Sequence, residues 1–112
     1  GVHLPERLAG AARALKRRRP NWIVTAAIHG PKAARRARGA DALLMSPVFP
    51  TDSASAKGKK IWRRRGLARG AARATPPVYA LGGINSKTIN YLENIENVSG
   101  AALVSALINR NS

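Results

Sequence analysis

The sequence predicts an α/β protein built from parallel βα units, and three observations carry that prediction. Short β-prone apolar runs alternate with helical stripes, the connections between them are short, and Gly82-Gly83 closes the run Pro77–Leu81 just before the helix-start residues Asn85 and Ser86. Regular alternation of this kind lays successive strands side by side in a parallel sheet, because each helix must cross back before the next strand begins. The pattern leaves a choice between a doubly wound sheet and a piece of a (β/α)8 barrel. No Gly-x-Gly-x-x-Gly follows the first strand, which counts against a dinucleotide-binding sheet.

Taken in order, Val2–Leu4 is a short strand closed by Pro5. From Glu6 to Arg19, the apolar residues Leu8, Ala11, Ala12 and Leu15 fall at i, i+3, i+4 and i+7, one stripe of a helix. Lys16–Arg19 load cations onto its last turn, where the helix dipole favours them, and Pro20 stops it. Trp22–Ile28 is a near-continuous apolar and β-branched run, as in a strand buried on both faces. Pro31 suits a first helical position, Ala33, Ala34 and Ala37 can pack inward, and Gly39 ends the helix. A third strand covers Asp41–Ser46 and leads into Pro47-Val-Phe-Pro-Thr51; a polar loop, Asp52–Lys60, follows. Ile61–Arg73 reads as a poor helix, weakened by Gly66 and Gly70. Val78–Leu81 is a strand, Ser86 to about Val98 a helix ended by Gly100, and Ala101–Ile108 a last strand.

The chain has 112 residues, enough for one modest core, and its hydrophobic fraction of 45% is ordinary for a globular protein. No apolar run approaches the ~20 residues that span a bilayer, so no membrane partner is expected. The opening Gly1-Val-His-Leu-Pro5 has no signal-peptide character. Absence of cysteine excludes disulfides and thiolate metal sites and fits a reducing cytoplasm, the expected location. Twenty Lys and Arg against five Asp and Glu give a net charge of +15. That excess should bind polyanions non-specifically at low salt and release them as salt rises.

The chemistry concentrates at the Gly-Gly turn. Glycine lets backbone approach a ligand closely and adopt positive φ, its N–H groups can point at an anion, and the start of the next helix adds partial positive charge. The turn is therefore a candidate anion site, although a Gly-Gly pair often serves sterics alone.

Gly1-Val-His-Leu4, His29, Gly39-Ala-Asp41, Ser46-Pro-Val-Phe-Pro-Thr51, Ala80-Leu-Gly-Gly-Ile84 and Val104-Ser-Ala106 stand in the order and spacing of one family. The chain resembles the thiamine phosphate synthase and TenI family over nearly its whole length apart from Asp52–Thr75. That resemblance implies a TIM barrel, of which this chain would supply about strands four to eight. Residues 1–112 would then form a single incomplete domain, either a fragment, a degenerate product, or a part completed by a partner. Two open sheet edges would invite self-association.

Residue by residue, the resemblance implies that Gly82, Gly83, Val104 and Ser105 hold a thiazole phosphate and that Thr51 and Ser53 hold pyrophosphate. His29 and Ser46 become weak catalytic candidates. The family's magnesium-holding Asp is Leu8 here, within Pro5-Glu-Arg-Leu8, and leucine offers no oxygen. The family serine before the histidine is Ala27, and its lysine after the hydroxyl pair is Ala54, with Lys57, Lys59 and Lys60 nearby. A TenI-type tautomerase would carry His where Ser46 stands. The resemblance therefore implies a retained thiazole-phosphate site, no evident cofactor, no metal site, and neither reaction supported by a full residue set.

Plainer roles compete with these. His29 can make a structural hydrogen bond, His3 can pack inside a barrel, Asp41 can serve the helix-to-strand turn, and Trp22 and Trp62 read as packing residues. A basic nucleic-acid-binding module on a βα scaffold is the alternative function, though no reading motif or aromatic row accompanies the cations.

Overall fold

The computed structural model describes residues 1–50, 58 and 60–102. Its elements run β1 (Val2–Leu4), a 3-10 stretch (Glu6–Ala11) continuing into α1 (Ala12–Arg18), β2 (Val24–Ile28), α2 (Pro31–Arg36), β3 (Ala42–Met45), α3 (Arg63–Arg73), β4 (Val78–Leu81), a 3-10 turn (Ile89–Leu92) and β5 (Val98–Ala102). The strands form one parallel sheet in the order β1-β2-β3-β4-β5, as the alternation of the sequence requires.

Register sorts the strand residues onto two faces. Leu4, Val24, Ala26, Ile28, Leu43, Met45, Val78 and Ala80 share one face and are buried. Against them lie Ala9, Ala12, Ala33, Ala34, Leu67 and Ala71 from the helices, so the outer layer meets the sheet largely through methyl groups. His3, Thr25, Ala27, Leu44, Tyr79 and Leu81 point to the opposite face, and none of them is fully buried. In a closed barrel that face would be the filled interior. His3 therefore does not pack as expected; it is exposed, with Nδ1 2.8 Å from the Thr25 hydroxyl.

The first helix begins as 3-10 and becomes α only at Ala12, next to Gly10, a residue that adds no helix propensity. Pro31 occupies the first turn of α2 behind an extended Gly30, as its fixed φ favours. Trp22 is 40% exposed, with the Arg19 guanidinium 5.6 Å from its ring centroid, so it covers the end of α1 and does not fill a core. Trp62 does pack against the buried cluster.

The C-terminal third departs from expectation. No α-helix spans Ser86–Val98; a four-residue 3-10 turn stands there. Asn94 and Asn97 hold φ of +61° and +64°, which ends helical backbone. The Asn97 amide donates to the carbonyls of Ala71 at 3.0 Å, Ala74 at 3.2 Å and Pro76 at 3.0 Å, capturing the segment for the end of α3. Released there, the chain enters β5 at Val98, ahead of the expected Ala101, and Gly100 lies within the strand opposite Tyr79.

Candidate functional site

Parallel strands finish at one end of the sheet, so the residues after β2, β3 and β4 are neighbours there. The turn after β2 is held by Glu6, whose Oε2 accepts the N–H groups of His29 and, at 3.0 Å, Gly30. One carboxylate oxygen thus satisfies two donors at the start of α2, as a capping side chain does, although it comes from a different βα unit.

That turn orients the His29 ring. Its Nδ1 lies 2.8 Å from the Ser46 carbonyl and 3.3 Å from the Ser46 hydroxyl. A carbonyl only accepts, so Nδ1 donates to it. The indole N–H of Trp62 donates to the same carbonyl at 3.1 Å. Ser46 meets His29 through its main chain first, at 2.8 Å, and its hydroxyl second, at 3.3 Å.

The Gly82–Gly83 turn packs on the loop after β3. Val48 N–H donates to Leu81 O at 2.9 Å and Phe49 N–H to Gly82 O at 3.0 Å. Both glycines hold positive φ, +101° and +66°. A Cβ on Gly82 would stand 2.7 Å from Pro47 Cα, and one on Gly83 would stand 2.5 Å from Pro50 O. Sterics alone therefore demand both glycines. Beyond them, Asn85 Oδ1 accepts from the N–H of Lys87 at 2.8 Å and Thr88 at 3.1 Å, while the Thr88 hydroxyl donates to Gly83 O at 2.9 Å. The expected N-cap chemistry is present at Asn85, but the helix it should open is missing, and so is most of that helix's dipole. None of the turn and loop hydrogen bonds among the described residues is donated by Gly82, Gly83 or Ile84.

Thr51, Ser53, Val104 and Ser105 lie outside the described residues. Of the expected sites, the structure brings together His29 with Ser46, and Gly82–Gly83 with the loop that follows Ser46. Leu8 is 43% exposed and supplies no oxygen, and the one carboxylate near it in sequence, Glu6, is engaged with backbone. Among the described residues no group of three His, Asp or Glu could hold a metal ion. Asp41 stands where β3 begins, away from this end; its carboxylate accepts the Val24 N–H at 2.7 Å and pairs with Lys16 at 3.1 Å. The Val24 N–H first, and Lys16 second, hold its pKa below the ordinary 3.8.

Sequence reasoning missed Glu6 and the role of the Trp62 indole. A lone acid directly after the first strand, in a chain with only five acids, was the available signal for Glu6.

Comparison with known proteins adds the following. Residues 1–107 match the family described as thiamine monophosphate synthase, TMP-TENI. A Geobacter sulfurreducens protein provisionally named a thiamine-phosphate synthase is 37% identical over 111 residues, covering 96% of this chain and 51% of that protein. An Aquifex aeolicus protein, provisionally thiamine-phosphate synthase 2, is 38% identical over 94 residues, covering 80% of this chain and 47% of its own length. The solved thiamine phosphate pyrophosphorylase from Pyrococcus furiosus superposes with a TM-score of 0.76 at 29% identity, covering 96% of this chain and 50% of that one. The chain spans about half the length of these relatives.

Proposed function

The chain belongs to the thiamine monophosphate synthase family, and from that premise we propose that it is the phosphate-holding half of a barrel acting in thiamine biosynthesis. Residues 1–112 act as one incomplete domain that binds a thiazole phosphate at the end of β4. The observation that supports this most is the division of labour in the Gly82–Gly83 turn. The carbonyls of Leu81, Gly82 and Gly83 are taken by Val48, Phe49 and Thr88, so the turn is immobilised through its acceptors. Among the described residues its N–H groups donate no turn or loop hydrogen bond, and backbone donors in such a turn suit a phosphate oxygen.

On this reading Val104 and Ser105 complete the phosphate site, Thr51 and Ser53 serve a pyrophosphate, and His29 and Ser46 are the catalytic candidates. The half barrel does not couple pyrimidine to thiazole by itself, because Leu8 replaces the magnesium ligand. β1 and β5 stand at the two ends of the described sheet order and offer the edges on which further strands of the barrel would pair. The cytoplasm is the compartment this reading implies.

Titration with the thiazole phosphate, followed by backbone amide NMR, tests the site. Saturable shifts at Gly82 and Gly83 that vanish in Gly83→Asp support it; shifts confined to the arginine-rich helices would overturn it. Magnesium-dependent thiamine phosphate formation by the purified chain would overturn the half-barrel assignment.

A further inference from the structure

We propose that a second anion site, independent of the one above, lies at the other end of the sheet and takes a small ligand carrying a diphosphate or similar phosphate group. It is a cleft of about 290 Å3 lined by Ala34, Arg35, Arg38, Arg73 and Thr75. Arg35 stands near the end of α2 and Arg38 just beyond it, ahead of β3; Arg73 closes α3, and Thr75 precedes β4. The cleft therefore sits where β3 and β4 begin. His29, Ser46 and Gly82 sit where β2, β3 and β4 end, a strand length of roughly 13 Å away.

Three arginines and one threonine line this cleft, and no acidic residue does. Among the described residues, none of the three side chains takes part in a hydrogen bond or ion pair, and the salt bridge present is Lys16–Asp41. Other arginines in the chain are engaged: Arg64 donates to Tyr91 O at 2.8 Å, and Arg19 lies over Trp22. The carbonyl ends of α2 and α3 lie at the same end of the sheet and oppose an anion, with roughly half an elementary charge each at most. Three full positive charges exceed that. Arginine's planar fork matches the geometry of a phosphate's oxygens, and a bidentate contact sets orientation as well as charge. The volume is at the small end of ligand sites, ~300 Å3, which suits a diphosphate or small phosphate ester. Lys16–Arg19 carry four charges in sequence at the end of α1 but do not line this cleft.

The test is titration of the whole chain with inorganic diphosphate at about 0.3 M salt, where exposed charges are largely screened, read on individual backbone amides. The expected result is saturable, one-to-one shifts at Arg38 and Thr75, separable from any at Gly82 and Gly83. Arg35→Gln with Arg73→Gln should weaken binding at Arg38 and Thr75 by about tenfold or more, since two charge-assisted contacts are lost. Arg17→Gln with Arg18→Gln removes the same net charge on α1 and should change it less than about twofold. Arg35→Lys with Arg73→Lys keeps the charge without the fork and should fall between. Equal weakening in the two Gln doubles, or shifts only at Gly82 and Gly83, overturns the proposal. So does a single-stranded oligonucleotide that competes across every basic helix while diphosphate does not saturate.

Discussion

Replacing Gly83 with alanine should cost this protein a large part of its stability, and the amount follows from two separate penalties. The backbone at Gly83 holds φ +66°, and an L side chain in that left-handed region costs roughly 1–2 kcal/mol. The added Cβ would also lie 2.5 Å from Pro50 O and 2.8 Å from the Phe49 carbonyl carbon. Both contacts are main chain, so no rotamer change relieves them; overpacking of that kind costs roughly 1–3 kcal/mol more. The sum, about 2–5 kcal/mol, is a sizeable share of the ~5–15 kcal/mol that holds an ordinary domain together. Gly30 supplies the control, because a Cβ there meets nothing within 4 Å and its backbone is extended. Gly30→Ala should stay within about 0.5 kcal/mol of the parent, while Gly83→Ala lowers the urea midpoint by about 1 M or more. Gly83→Asn, which tolerates the left-handed region but keeps the overlap, should fall between them. Equal midpoints for Gly83→Ala and Gly30→Ala would refute the claim that the turn is clamped against the loop after β3.

Three further outcomes are expected. Glu6→Ala leaves the His29 and Gly30 N–H groups without their acceptor and should lose roughly 1.5–3 kcal/mol in urea unfolding, the range for a hydrogen-bonded charged group; unchanged stability would dismiss the tether. Asn97→Ala should lose about 2–3 kcal/mol, part from the lost contacts and part from its positive φ, and Asn97→Gly should recover only the backbone part; complete recovery in Asn97→Gly would show that the amide contacts contribute nothing. Asp41 has a folded pKa below its unfolded value of 3.8, so its contribution is full above pH 3.8 and lost as pH falls through the lower folded value. The carboxylate is 39% exposed, which limits that contribution to under about 1 kcal/mol. Asp41→Asn should flatten the acid limb of the stability curve there and leave neutral-pH behaviour nearly unchanged; an unaltered acid limb would count against the Val24 and Lys16 contacts.

What could be read beforehand follows from which interactions are local. Strands β2, β3 and β4 were legible because their buried residues alternate or run together, and Val78–Leu81 occupies the residues expected of it. Helix α2 was legible from Pro31 and its alanine stripe. The failure over Ser86–Val98 has a tertiary cause. Asn97 reaches carbonyls 21 to 26 residues away, and no local pattern shows that a side-chain amide will be captured at such a distance. Glu6 acts on backbone 23 and 24 residues along, for the same reason invisible. The Gly-Gly turn was legible as a special backbone, but its clash with Pro47 and Pro50 shows only once β3 and β4 stand side by side.

The alanine contacts between helices and sheet bear on how the protein breathes. A methyl group removes little apolar surface from water, and burial energy scales with area, so each helix adheres less strongly than one seated on leucines. The ladder bonds of β2, β3 and β4 are flanked by strands on both sides. Amide exchange should therefore be layered. Protons of α1 and α2 should be replaced through small openings that leave the central strands intact, while those of β3 wait for global unfolding. The Gly82–Gly83 turn at the end of β4 would then hang from the slowest-exchanging part of the molecule and keep its geometry while the cationic outer layer loosens around it.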